Sequence, residues 1–310
     1  MAWQKLGLIY CPEGQLDWAQ HSFMTPVPVL MGADVIRLYG GMRDASSISR
    51  IGWIDLDAHN PTRVIAVCDE PALDIGQPGM FDDNGVILGD VIWASGSELR
   101  MYYVGFQLVE KAKFLAFTGL AISDYKGISF HRHQSTPILD RAPQALFINA
   151  LHSIVETEFG YRAWISCGQR WQEISGRLYP QYNCWSVPTP DGLVFNMRDA
   201  EKILDVSEAE YRIGRPRANR LSDGSFELRV TSDTFEKQYE SHLAHSKDGT
   251  SFTRSDTVEL PRGAPGSWDS EMTCYPARID TPAGENFLFY NGNGMGQTGV
   301  GVAVWRPDHE

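Results

Sequence analysis

Short apolar runs recur along the chain, most of them alternating with polar residues and bounded by Gly, Asp, Asn, Ser or Pro. Alternation of this kind is the period of a half-buried strand, and almost no stretch carries the period of a helix. A first set of runs lies at 25–30, 86–91, 150–155, 215–218 and 275–279, and several carry a proline or a small residue near the start. Their starts are roughly 60 to 65 residues apart. About ten residues after each comes an aromatic-rich run, at 35–40, 99–104, 161–165, 226–230 and 286–290. A third run closes each repeat, at 51–55, 119–123, 183–187, 242–246 and 299–304.

Three of the third runs lead into matching turns, at 123–130, 189–195 and 246–252. Asp191-Gly192 and Asp248-Gly249 there suit a tight hairpin before an outermost strand. Repeats of three to four strands with this spacing predict an all-β, five-bladed β-propeller. The approximate blades are 20–77, 78–140, 141–205, 206–262 and 263–310, the last joined by 1–12. The fifth repeat stops at its third strand, so the N-terminal run at 5–10 is expected to complete it. Two packed sandwiches are the alternative, and the regular period favours blades. No linker or low-complexity segment interrupts the series, which predicts one domain over 1–310.

Hydrophobic residues make up 43% of the chain, enough to bury a core and to exclude general disorder. Lys plus Arg number 27 against 39 Asp plus Glu, a net charge of −12. Such a chain repels a phosphate backbone and an anionic membrane surface, so neither nucleic-acid binding nor membrane insertion is expected. No apolar run approaches the ~20 residues that span a bilayer, and the N-terminus carries no signal-like apolar region, which predicts a cytoplasmic protein. Cys11, Cys68, Cys167, Cys184 and Cys274 are scattered without a C-x-x-C pair. Reduced thiols are expected, with no disulfide framework and no metal site. His131 and His133 read as an exposed loop. The glycine-rich stretch from Gly292 to Gly301 lacks the Gly-Lys-Ser/Thr element and the following helix of a phosphate loop, so no cofactor is expected. No G-x-S-x-G nucleophile motif is present.

In a propeller the first strand of each blade lines the axis, and polar residues at those strand starts are the natural pocket candidates. Two carboxylates across a sugar ring are what glycosidic cleavage requires, one protonated and one ionised. Asp83 and Glu271 form the best candidate pair, with Glu210 third. Arg215 would lower the pKa of one acid and so separate the two roles. Asp269, His21, Asp90, His152, Tyr275, Asn291 and Asn293 are candidate sugar contacts. Trp18, Trp171, Trp185 and Trp268 suit either stacking on a sugar or packing between blades.

Residues 268–276, followed by 288–299, resemble the signature of a bacterial five-bladed propeller family related to glycoside hydrolase families 43, 32, 68 and 130, the arabinanase, levansucrase and invertase-like group. Stretches at 49–57, 79–86, 137–141 and 213–216 agree, so the resemblance spans all five repeats. It implies a carbohydrate-active enzyme on a glycoside or activated sugar in surface-polysaccharide metabolism, of the kind found in O-antigen gene clusters. The related hydrolases begin blade one with an Asp-Pro that carries the catalytic base, whereas Thr25-Pro26 stands here. Ala150-Leu151 likewise replaces an expected Ser-Pro in the third repeat. Two further readings therefore stand beside the hydrolase: a non-catalytic glycan- or nucleotide-sugar-binding propeller, and a glycosyl transferase on the same scaffold. All take a sugar or glycan ligand, and the oligomeric state is left open.

Overall fold

The computed structural model describes residues 2–236 and 239–306, without the side chains of Asp256 and Thr257. The end of the fifth predicted repeat, 307–310, lies outside the described residues. Strand β1 (Ala2–Tyr10) opens the chain. An antiparallel meander follows: β2 (His21–Leu30), β3 (Val35–Arg43), β4 (Ser49–Asp57) and β5 (Asn60–Val67). The same order repeats in β6 (Val86–Ser95), β7 (Glu98–Gln107), β8 (Leu115–Asp124) and β9 (His131–Arg132). It repeats again in β10 (Ile148–Thr157), β11 (Gly160–Ile174), β12 (Arg177–Thr189) and β13 (Glu201–Leu204). A further meander is β14 (Glu210–Arg220), β15 (Phe226–Thr234), β16 (Tyr239–Ser246) and β17 (Thr253–Val258). The last is β18 (Cys274–Asp280), β19 (Asn286–Asn291) and β20 (Val300–Arg306). Its fourth strand is β1, which pairs antiparallel with β20 from Ala2↔Arg306 to Tyr10↔Val300. The N-terminal run thus takes the outer position that its sequence pattern predicts.

Three of these groups are separate four-stranded sheets. The second and third share one eight-stranded sheet, because β10 meets β8 in parallel at Ile148↔Ala116 and Asn149↔Phe117. Strands β3 and β7 are buried along most of their length, while β1 alternates between exposed and half-buried positions. That gradient is the one expected when inner strands are covered on both faces and the outer ones on one. Among the described residues no helix is long and apolar enough to cross a membrane.

A repeated latch joins consecutive groups. Tyr39 on β3 donates its hydroxyl to the Gly127 carbonyl at 2.7 Å. Tyr102 on β7 donates to Gly192 at 2.9 Å, and the Trp164 indole on β11 donates to Gly249 at 3.2 Å. Each donor sits on the second strand of its group, and each acceptor lies in the turn after the third strand of the next. The three glycines have φ of 59°, 71° and 77°, a region that suits residues without a Cβ. The turns are held by local bonds as well: Asp191 Oδ1 accepts from the N–H groups of Leu193 and Val194, and Asp248 Oδ1 from those of Thr250 and Ser251. These are the turns whose similarity is legible in the sequence, and the structure shows what the similarity is for.

The first strand of every group is interrupted by a bulge at a corresponding place. The register slips at Thr25-Pro26 in β2, Gly89 in β6, His152 in β10, Arg215-Pro216 in β14 and Tyr275-Pro276 in β18. Thr25, Arg215 and Tyr275 take φ of 55°, 57° and 56° there. A bulge re-aims the side chain it contains, and strained backbone of this kind gathers at functional sites. Buried polar bonds tie these strands to one another. Asp90 on β6 accepts from the Ile154 N–H of β10 at 2.9 Å and from Arg217 of β14 at 3.0 Å. Ser153 of β10 donates to the Pro216 carbonyl and accepts from the Ala218 N–H, both at 2.9 Å.

The latch makes a stability prediction. A Cβ at Gly192 would lie 2.6 Å from the Tyr102 hydroxyl, whereas one at Gly224 (φ 87°) would meet nothing within 4 Å. Gly192→Ala should therefore cost about 2 kcal/mol more than Gly224→Ala in denaturant unfolding, and Tyr102→Phe about 1 kcal/mol. Equal costs for the two glycine substitutions would remove the latch from the account.

Candidate functional site

Four of the bulges converge on a cavity of about 470 Å³, which β6 reaches through Ile87 rather than through its bulge at Gly89. Thr25, Ile87, His152, Arg215 and Tyr275 line it, one from the first strand of each group. One wall is apolar, built from Ile87, Val104, Phe106, Phe114 and Ile148. Phe106 and Phe114 meet edge to face at 5.2 Å, and Trp171 packs behind them against Phe114 at 5.4 Å and Phe147 at 4.9 Å. The lining also carries Arg43, Arg212 and Arg215 with Tyr182, Tyr239 and Tyr275. The long β11–β12 hairpin supplies Tyr179 and Tyr182, and exposed Lys113 stands at the rim. No Asp or Glu among the described residues lines the cavity.

The polar part of the lining is a ladder of rings and guanidiniums. Arg212 is paired with the buried Asp233 at 2.6 Å and lies 5.7, 5.1 and 5.2 Å from the rings of Tyr182, Tyr211 and Tyr239. Burial would lower its pKa, but the surrounding tyrosines and Asp233 outweigh that and raise it. Tyr239 and Tyr275 share a hydroxyl–hydroxyl bond of 2.8 Å. Arg215 lies 5.1 Å above the Tyr275 ring and donates to the Leu88 carbonyl at 2.8 Å. Its Nη1 is also 3.1 Å from His152 Nδ1. A guanidinium only donates, so His152 Nδ1 accepts and the imidazole proton is on Nε2. Burial first, then Arg215 and Arg217, hold the His152 pKa well below its ordinary value, so the ring is neutral. Burial also pushes the Arg215 guanidinium down to about 10.

Of the residues singled out in the sequence, Arg215, His152 and Tyr275 stand in this cavity. The acid pair does not. Asp83 turns its carboxylate to the Gly79 N–H at 2.9 Å, within its own turn. Glu271 is exposed, and its backbone N–H is held by Asn293 at 2.8 Å. Glu210 is buried against Arg254, which reaches both of its oxygens at 2.9 and 2.6 Å. Burial favours its neutral form, but the Arg254 fork and the Ser207 N–H outweigh it and hold the carboxyl down to about 2. That is an ion pair, not a proton donor.

The remaining candidates also serve the fold. Asp269 accepts from Lys5 at 2.6 Å and from Tyr290 at 3.1 Å, joining β1 to the last sheet. Asp90 is the inter-strand tie described above. His21 lies outside the lining, 2.7 Å from the Ser22 hydroxyl. Asn291 accepts from the Thr25 N–H at 2.7 Å and donates to the Phe23 and Gly299 carbonyls at 2.6 and 3.0 Å, closing the last group onto the first. Asn293 organises the 268–272 turn. The sequence signature of the fifth repeat thus takes part in closing the molecule.

Sequence reasoning missed Arg43, Lys113, Arg212, Tyr179, Tyr182 and Tyr239. Strict alternation puts positions 212 and 215 on opposite faces of a strand, and only the bulge at 215 brings both arginines to the cavity. The tyrosines had a signal: Tyr179 and Tyr182 fall in an extended, aromatic-rich stretch between predicted strands.

No protein-family model matches the chain. It is 30% identical over 304 residues to the uncharacterized protein Rv1502 of Mycobacterium tuberculosis, a match spanning 98% of this chain and 99% of that protein. Among solved structures it is similar to BT0996 in its complex with RGII, at TM-score 0.72 and 15% identity over 99% of this chain and 92% of the other. It is also similar to a thermostable family-43 glycoside hydrolase, at TM-score 0.63 and 12% identity over 93% and 91% of the two proteins. At these identities the likeness is one of fold. The nearly all-β architecture is that of the propeller-type glycoside hydrolases.

The reassignment of Glu210 has a measurable signature. A carboxyl held at about 2 stabilises the folded state above its unfolded pKa near 4.3, and the contribution is lost as pH falls through about 2. Arg254→Met should destabilise the protein at pH 6, and its deficit relative to the parent should shrink from about pH 5 towards pH 2. Unfolding free energies measured across that range check this; a deficit independent of pH would contradict it.

Proposed function

We propose that this chain, which belongs to the family of the uncharacterized Mycobacterium tuberculosis protein Rv1502, is a single-domain five-bladed propeller that binds a saccharide in its axial cavity. The observation that carries the reading is the composition of that cavity. Residues from the first strand of all five groups meet there, and tyrosines and hydrogen-bond donors share the lining with apolar side chains. A pyranose ring asks for this combination, because its C–H face suits aromatic and aliphatic carbon while its hydroxyls need donors and acceptors. BT0996, a fold neighbour, is seen in complex with the glycan RGII, which supports a sugar ligand for the scaffold.

Binding without hydrolysis is favoured over carboxylate-driven cleavage because no described Asp or Glu side chain lines the cavity. A glycosidase of the usual two-carboxylate kind needs both groups at the scissile bond, within about 10 Å of each other. The enzymatic reading, a glycoside hydrolase or glycosyl transferase in surface-polysaccharide metabolism, draws its support from the fold of the neighbours alone, and a fold does not fix a reaction.

Thermal-shift and calorimetric titration with monosaccharides, oligosaccharides and nucleotide sugars separate the two. Under the binding reading, Asp83→Asn and Glu271→Gln keep affinity within about two-fold, His152→Ala weakens it by about ten-fold or more, and no product forms. Turnover by the parent protein that disappears in Asp83→Asn or Glu271→Gln would return the site to the acid pair.

A further inference from the structure

The arginines of the cavity differ in what satisfies them. Arg212 has the Asp233 carboxylate at 2.6 Å. Arg215 has neutral partners: the Leu88 carbonyl at 2.8 Å, His152 Nδ1 at 3.1 Å and the Tyr275 ring. Arg43 makes no side-chain hydrogen bond or ion pair among the described residues, and its Nε is buried without a partner. Both under-satisfied guanidiniums line the same cavity, together with Tyr275. Burial lowers the pKa of both, Arg215 to about 10, which marks a site where positive charge lacks compensation. The protein as a whole carries a net charge of −12, yet this cavity is lined by four cations and, among the described residues, by no acid.

Cations are kept in a low-dielectric cavity at a cost to stability unless a counter-charge arrives, and a guanidinium fork matches the oxygens of a carboxylate or phosphate. We infer that Arg43 and Arg215 form an oxyanion subsite, and that the saccharide bound here is acidic, carrying a uronate carboxylate or a phosphate ester. The inference deepens the saccharide-binding reading and rests on it. His152 Nε2–H is a further donor in the same cavity, and Lys113 at the rim adds attraction for an approaching anion. Apolar side chains in the same lining give the ligand's carbon skeleton a dry surface to lie on, so the anion fixes the orientation.

The experiment is a titration of the full-length protein with inorganic phosphate, acetate, glucuronate, glucose 6-phosphate and glucose at matched ionic strength. The first four should stabilise the protein beyond a chloride control, and the acidic sugars should bind at least about ten-fold more tightly than glucose. Acetate and glucuronate against phosphate and glucose 6-phosphate decide which oxyanion the fork prefers. Arg43→Gln and Arg215→Gln should each remove about ten-fold or more of the anion's affinity while lowering that for glucose by a clearly smaller factor. Arg43→Met, tested without ligand, should raise the melting temperature by about 3 °C, because an uncompensated charge is lost. A purely structural arginine would lower it, and that result would overturn the inference. So would oxyanions that stabilise no better than chloride, or arginine variants that bind them normally. Arginine-dependent phosphate or acetate binding that gains nothing from an attached sugar would leave the subsite standing and sink the saccharide reading instead.

Discussion

The architecture depends on one repeated contact, in which an aromatic donor on the second strand of a group bonds to a glycine carbonyl in the turn of the next. Tyr39 with Gly127, Tyr102 with Gly192 and Trp164 with Gly249 are three copies of it. Each copy is buried, so each donor would be left unsatisfied without its partner. Each also fixes the offset between neighbouring sheets. Sheets pack through side chains with no directional preference of their own, so a buried directional bond decides their relative placement.

Where the latch is absent, other bonds take its place. The fourth group meets the fifth through Arg278 and Glu227 at 3.0 Å and through the Tyr239–Tyr275 pair. The fifth meets the first through Asn291, whose amide bridges Thr25, Phe23 and Gly299. With the offsets fixed in this way, the bulges at Thr25, His152, Arg215 and Tyr275, together with Ile87 of β6, end up around a common cavity. Their strain becomes intelligible in that light: a backbone with φ near 55° at Thr25, Arg215 and Tyr275 is held there by neighbours on both sides.

The site that results is cationic inside an acidic protein. Its carboxylates are committed elsewhere: Asp233 to Arg212, Asp90 to Arg217, Glu210 to Arg254, Asp269 to Lys5. The first three pairs join different strands and the fourth ties β1 to the turn before β18, so these acids are consumed in holding the fold together. The cavity keeps Arg43 and Arg215, which no carboxylate among the described residues pairs, beside Arg212, which Asp233 does. A scaffold similar in fold to glycoside hydrolases thus carries a cavity lined by cations and, among the described residues, by no carboxylate.

The sequence by itself determined the strands, because period-2 alternation and turn residues are local, and it determined the repeat, because the same pattern recurs at even spacing. It also determined that the N-terminal run has a place waiting beside β20, since the last repeat is one strand short. Three of the cavity residues, Arg215, His152 and Tyr275, were legible because strand starts face inward. Tertiary structure alone decided the rest. Asp83 and Glu210 read as available acids until their partners, the Gly79 N–H and Arg254, are known, and Glu271 reads as a pocket acid until the fold places it exposed and outside the cavity lining. Arg43 and Arg212 were hidden for the complementary reason. The facing of a side chain follows strict alternation until a bulge reverses it, and a charge announces a binding site only once every opposite charge has been found paired with something else.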